Sequence, residues 1–115
     1  MPDLTGRSDS LVRSIDAHLV QGLHMKKYVL LYESADDVAS RAGEHFPAHS
    51  ALWAEFQAQG TLLMIGTFGN PQEEGSMSIF TTREAAEDFA SRDPFVANGV
   101  VKSWQVREWN EAIGD

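Results

Sequence analysis

Two histidines flank a proline in the stretch EHFPAHSALW, Glu44 to Trp53. His45 and His49 are four positions apart, in a chain with 4 histidines. Imidazoles at i and i+4 on one helix face make a metal pair. A single imidazole beside a carboxylate makes an acid–base dyad instead. The metal reading needs both rings on one helix. Pro47 suits the first turn of a helix that begins after His45, and that start separates the rings. Glu44 adds an oxygen but no ligand spacing. The expectation is no metal and no other cofactor, with His45 in a solvated approach and His49 in the first helical turn.

The elements that must position His49 can be read from the pattern around it. KKYVLLYE, from Lys26, is β-branched and aromatic and about one strand long. SADDVASRAGEHF is polar, with a short helix ending at Gly43. PAHSALWAEFQAQG is a helix with Leu52, Trp53 and Phe56 on its apolar face and Gly60 at its C-terminal cap. TLLMIGTF is a second strand, apolar on both faces, and GNPQEEG is a loop. SMSIFT is a third strand. TTREAAEDFASRD is a second helix, with a capping box of Thr81 and Glu84 and a buried face of Ala85, Ala86, Phe89 and Ala90. After DPFVANG, VVKSWQVREW is the last strand. The order β-α-β-β-α-β predicts an α+β fold, the ferredoxin-like βαββαβ plait with a four-stranded antiparallel sheet and both helices on one face.

This topology collects Tyr32, Glu33, His49, Gly66, Thr67 and Asp93 at one end of the molecule. At a helix start His49 is held as a neutral ring, because the positive helix end disfavours the imidazolium. Asp93 precedes Pro94, so it leaves its helix in an extended or turn geometry from which a carboxylate can reach sideways. A His49–Asp93 dyad could then work as acid and base, with Tyr32 and Thr67 as hydrogen-bond donors to a substrate. The plainer reading is that Asp before Pro is ordinary turn chemistry and a first-turn His is solvated. Spacing alone leaves both open.

Bulk composition narrows the partners. The charge is −8, from 9 Lys+Arg against 17 Asp+Glu, which repels a phosphate backbone. Aromatic strands on a plait suit RNA-binding sheets, but the Lys/Arg-Gly-aromatic motif is missing, so nucleic acid is not expected. GTFGNPQEEG does not open a helix after a strand, as a phosphate loop must. With 0 cysteines there are no disulfides and no thiol nucleophile. No apolar run approaches the roughly 20 residues of a spanning helix, and no signal peptide is evident, so a cytoplasmic protein without membrane attachment is expected.

The 115 residues are expected to form one domain, the plait over 25–115, preceded by an N-terminal extension over 1–24. In the extension Leu11, Val12, Ile15, Leu19 and Leu23 fall on one side of a helix capped by Ser10. In the plait, Leu62, Leu63, Met64 and Ile65 run consecutively, and such a strand needs cover on both faces. A homodimer joined through the open sheet face supplies it, or the extension folds across.

FPAHSALWAEFQAQGTLLMIGTF followed by SMSIFTTREAAEDFASRDPFVANGVVKSWQVREW resembles the YCII-related (YciI-like) family over Met25 to Trp109. The marks are PAH opening the first helix, G-T-L leading into strand two, DPF-x-x-x-G after helix two and a closing W-x-V-R-x-W. The resemblance implies the dimeric α+β barrel group, and a histidine and aspartate site that falls on His49 and Asp93. It also implies relatives similar to dehydrochlorinases of chlorinated hydroxyquinols, and related barrels that include muconolactone isomerases and small monooxygenases. Neither His45 nor residues 1–24 match a site position. The expectation is therefore a small-molecule enzyme using a His–Asp dyad for elimination or isomerisation. The alternative is a non-catalytic, dimeric ligand-binding or accessory module.

Overall fold

The computed structural model describes residues 26–114; the expected extension helix lies outside them. Residues Lys27–Glu108 form one compact unit, and Trp109–Gly114, where the last strand runs out, fall in a second. The elements are β1 (Lys26–Ser34), α1 (Val38–Ala58), β2 (Leu62–Thr67), α2 (Pro71–Glu74), β3 (Ser76–Phe80), α3 (Arg83–Arg92), α4 (Pro94–Ala97) and β4 (Val101–Asn110). The sheet has four strands in the order β2-β3-β1-β4. β3 runs antiparallel to both β1 and β2. This is the βαββαβ plait, with short turns α2 and α4 added where loops were expected.

Register assigns the two faces of the sheet. Tyr28, Leu30 and Tyr32 of β1 oppose Phe80, Ser78 and Ser76 of β3. These positions face α1 and α3, because successive side chains on a strand alternate between faces. Leu30, Tyr32, Leu62 and Phe80 join Leu52 and Phe56 of α1 and Ala86, Phe89 and Ala90 of α3 in one core. Phe56 meets Phe89 edge-on at 5.3 Å, and Phe80 lies 5.4 Å from Phe89. Edge-on and tilted pairs of this kind add to the burial of the rings. The opposite face carries Val29, Leu31, Met77, Ile79 and Met64 by the same register. Gly75, at φ 76°, lets β3 start against β1: a Cβ there would collide with the Tyr32 carbonyl.

Two expectations about the helices need correction. Gly43 does not end a helix and Pro47 does not start one; α1 runs unbroken through both for 21 residues. A proline inside a helix removes one hydrogen bond and costs about 3 kcal/mol. Gly43, whose carbonyl loses its partner, and Pro47 are both exposed, so water can take the freed carbonyl. The buried face of His49, Leu52 and Phe56 lies just beyond Pro47 and secures the helix there. The second correction is the cap of α3. Thr82, not Thr81, is the N-cap, and its hydroxyl accepts from Ala85 N–H at 3.1 Å. The other signals held: Gly60 follows the end of α1 at φ 80°, and Asp93 is extended at φ −72°, ψ 123°.

Candidate active site

Asp93 sits at the junction of α3 and α4 and is 0% exposed. Pro94 forces this junction. It cannot continue α3, and it biases Asp93 to extended backbone. The Asp93 side chain then caps α4, accepting from Phe95 N–H at 3.0 Å. A buried carboxylate needs more than one donor. Tyr32 O–H of β1 donates to Oδ2 at 2.6 Å, and His49 Nδ1 lies 2.8 Å from Oδ1. Three elements that are distant in sequence thus converge on one carboxyl group.

The geometry sets the histidine tautomer. An ionised carboxylate only accepts hydrogen bonds, so the His49 Nδ1 carries the hydrogen. In the neutral ring Nε2 keeps its lone pair, and among the described residues it has no protein partner. The ring is 6% exposed for the residue as a whole. Phe95 stacks on it at 3.8 Å with an interplanar angle of 7°, and Trp53 meets it edge-on at 5.1 Å. These contacts lock the ring plane, so a proton on Nε2 would be exchanged in one fixed direction. The Tyr32 phenol is pushed far above the ordinary tyrosine range, by burial first and then by the Asp93 charge and hydrogen bond. It stays protonated and serves the carboxylate.

His49 lines a cavity of about 270 Å³ between α1 and the helix side of the sheet. Tyr32, Thr67, Ser76 and Ser78 line it with hydroxyl-bearing side chains, and Phe46, Trp53 and Phe95 line it with rings. The four site residues expected from sequence therefore divide. His49, Asp93 and Tyr32 form one hydrogen-bonded cluster, and Thr67 lies on the wall of the cavity beside it. Tyr32 differs from its expected role, since its hydrogen is committed to Asp93. His49 differs too: it lies well inside α1, beyond the first turn over which the helix N-terminal field acts.

Phe46 and Phe95 are site residues that sequence reasoning passed over. Phe95 stood in the DPF mark without a role, and Phe46 stood beside His45 in a stretch assigned to loop. Both histidines are in fact on α1, one turn apart. Yet His45 is only 4.0 Å from Glu44, and His49 is turned to Asp93. Among the described residues, no three His, Asp or Glu groups come together in a way that could hold a metal ion.

The pattern of the YCII-related domain matches residues 25–110. The chain belongs to the YCII-related family. Among solved structures, this YCII-related chain is similar to a 5-chloro-2-hydroxyhydroquinone dehydrochlorinase (TftG) from Burkholderia phenoliruptrix AC1100, in complex with 2,5-dihydroxybenzoquinone. The match has a TM-score of 0.59 at 17% identity, and covers 73% of this chain and 93% of the other. At that identity the likeness establishes the shared α+β fold. No curated protein matches the chain. No helix among the described residues is long and apolar enough to cross a membrane.

Proposed function

We propose that this YCII-related protein is an enzyme that moves a proton on a small organic substrate, with His49 as the base. One observation carries the reading: a buried carboxylate holds His49 Nδ1 at 2.8 Å, which frees Nε2 beside a cavity. His49 Nε2 takes a proton from the substrate, and Asp93 stabilises the imidazolium that forms. Tyr32 and the Phe95 N–H hold Asp93 in place. In an elimination, the electron pair left by the proton expels a leaving group, from the neighbouring atom or, in a hydroxylated ring, through the conjugated bonds from a ring carbon made tetrahedral by tautomerisation. In an isomerisation, the imidazolium returns the proton to a different carbon. Thr67 serves as a hydrogen-bonding group on the cavity wall. The fold shared with the dehydrochlorinase favours elimination of hydrogen chloride from a hydroxylated, chlorinated ring. Chloride release from 5-chloro-2-hydroxyhydroquinone tests this. Turnover by the wild type and a loss of about 100-fold or more in His49→Gln support it. An unchanged rate in His49→Gln sinks the assignment.

A second reading rests on the completeness of the same cluster. A buried carboxylate with every donor satisfied is also what a brace between α1, α3 and β1 requires. As a brace in a non-catalytic, ligand-binding module, Asp93→Asn would cost stability and leave the His49 titration insensitive to ligand. As a dyad, Asp93→Asn moves the His49 titration, followed by NMR.

The open sheet face supports a homodimer. Met64 is 66% exposed there, beside the partly buried Leu31 and Met77. A second copy packed sheet to sheet removes this apolar surface from water in a two-fold arrangement. Sedimentation at micromolar concentration checks it, and a monodisperse monomer overturns it. A cytoplasmic location goes with this reading.

A further inference from the structure

A groove of about 460 Å³ adjoins the cavity at His49, between the first turns of α1, the end of β1 and the start of α2. Tyr32, Phe46, Thr67, Ser76 and Phe95 wall both spaces. The His49 cavity alone is smaller than the roughly 300–1,000 Å³ usual for ligand sites, and the groove brings the combined space inside that range.

The chemistry of the groove is one-sided. Val38, Ala39, Ala42, Phe46, Val100 and Val101 supply apolar walls, and none of its lining residues is charged. The Thr67 and Ser76 hydroxyls lie on the wall shared with the His49 cavity, and the polar side chains farther along the groove are engaged with the protein. Ser34 Oγ donates to the Pro71 carbonyl at 2.6 Å. Gln72 Nε2 donates to the Ala35 carbonyl at 2.6 Å, and its Oε1 accepts from Val38 N–H at 3.1 Å. Asn70 Oδ1 accepts from Gln72 N–H at 3.2 Å. A ligand group with charge or strong hydrogen-bonding capacity would be desolvated here without a partner. The chain's charge of −8 adds to the penalty for an anion. Phe46, 45% exposed, edges both spaces and is left for an apolar ligand to cover.

We infer that this groove binds an uncharged, apolar arm of the substrate, an alkyl chain or second ring, whose hydroxylated head lies at His49. The inference rests on the acid–base reading above and adds the substrate class: a phenolic ring carrying an apolar substituent. The small side chain of Ala42, on the groove wall, leaves room for that arm.

Calorimetric titration of the full chain with resorcinol, ethylresorcinol and hexylresorcinol tests the assignment. Binding should tighten about three- to fourfold for each methylene that enters the groove. Ending the hexyl chain in a carboxylate should cancel the gain. Ala42→Phe fills the groove and should flatten the series, and Ala39→Phe repeats the test should Ala42→Phe fold poorly. A flat series in the wild type, or a gain that survives both fillings, overturns the groove assignment. Chloride release by His49→Gln is read in parallel. Retained turnover there overturns the acid–base reading and this inference with it. Lost turnover alongside a flat series overturns the groove assignment alone.

Discussion

Two short turns in this molecule share one local design. Asn70-Pro71 opens α2, and Asp93-Pro94 opens α4. In each, proline occupies the first helical position and the preceding side chain caps the turn. Asn70 Oδ1 accepts from the N–H two residues on at 3.2 Å, and Asp93 Oδ1 does so at 3.0 Å. The difference lies in what surrounds the second oxygen and the charge. Asn70 is exposed, and its side chain does no more than cap. Asp93 is fully buried, and it also takes Tyr32 O–H and His49 Nδ1–H. A turn becomes a candidate site when its capping group is charged and two other elements must satisfy it.

Substitution can break this contrast, and the largest effect belongs to Asp93→Ala. It strands a phenol, an imidazole N–H and a backbone N–H in the interior. The expected loss is about 3–5 kcal/mol by urea unfolding, the range for breaking a buried charged pair. Turnover of any substrate of the His49 site should go with it.

Tyr32→Phe comes next, because it removes one hydrogen bond to a buried carboxylate. About 1.5–3 kcal/mol is expected at neutral pH. This variant also has a pH signature. The folded-state pKa of Tyr32 is raised, so its stabilisation is complete below the unfolded tyrosine value of about 10 and is lost as pH rises beyond it. Above about pH 10 the wild type should therefore lose up to about 1.4 kcal/mol per pH unit relative to Tyr32→Phe. Equal slopes in alkaline unfolding would show that the phenol is not held as described.

Asn70→Ala should cost about 1 kcal/mol, the ordinary worth of an exposed N-cap. A loss comparable to that of Asp93→Ala would erase the distinction between the two turns. The smallest effect belongs to His45→Gln, which removes the other imidazole of the pair, a partly buried ring 4.0 Å from an exposed Glu44. Stability should stay within about 0.5 kcal/mol, with turnover unchanged. A strong loss of activity there would return the histidine pair to consideration.

Much of the plait was legible because its signals are local. Strand-length apolar runs, Gly60 after α1 and Pro94 after α3 each act through the backbone of a few residues. Topology then placed His49, Asp93, Tyr32 and Thr67 at one end, and the resemblance picked out His49 and Asp93 before any distance was known. The misreadings have a common cause. Pro47 reads as a helix start because its local cost inside a helix is large, whereas burial of His49, Leu52 and Phe56 beyond it carries α1 through. The same error hid Phe46, which acquires its place only when residues 38–58 form a single helix.

Sequence by itself determined the βαββαβ order, the turn signals at Pro71 and Pro94, and the acidity that disfavours nucleic acid. These follow from backbone sterics, hydrophobic periodicity and counted charge, all of which act within short stretches of chain. Only the tertiary structure decided which histidine has a carboxylate, and that Tyr32 serves Asp93 directly. It alone decided that a second, apolar space lies across Phe46 from the His49 cavity. Such facts depend on burial, since only a carboxylate removed from water must recruit its donors from other strands and helices.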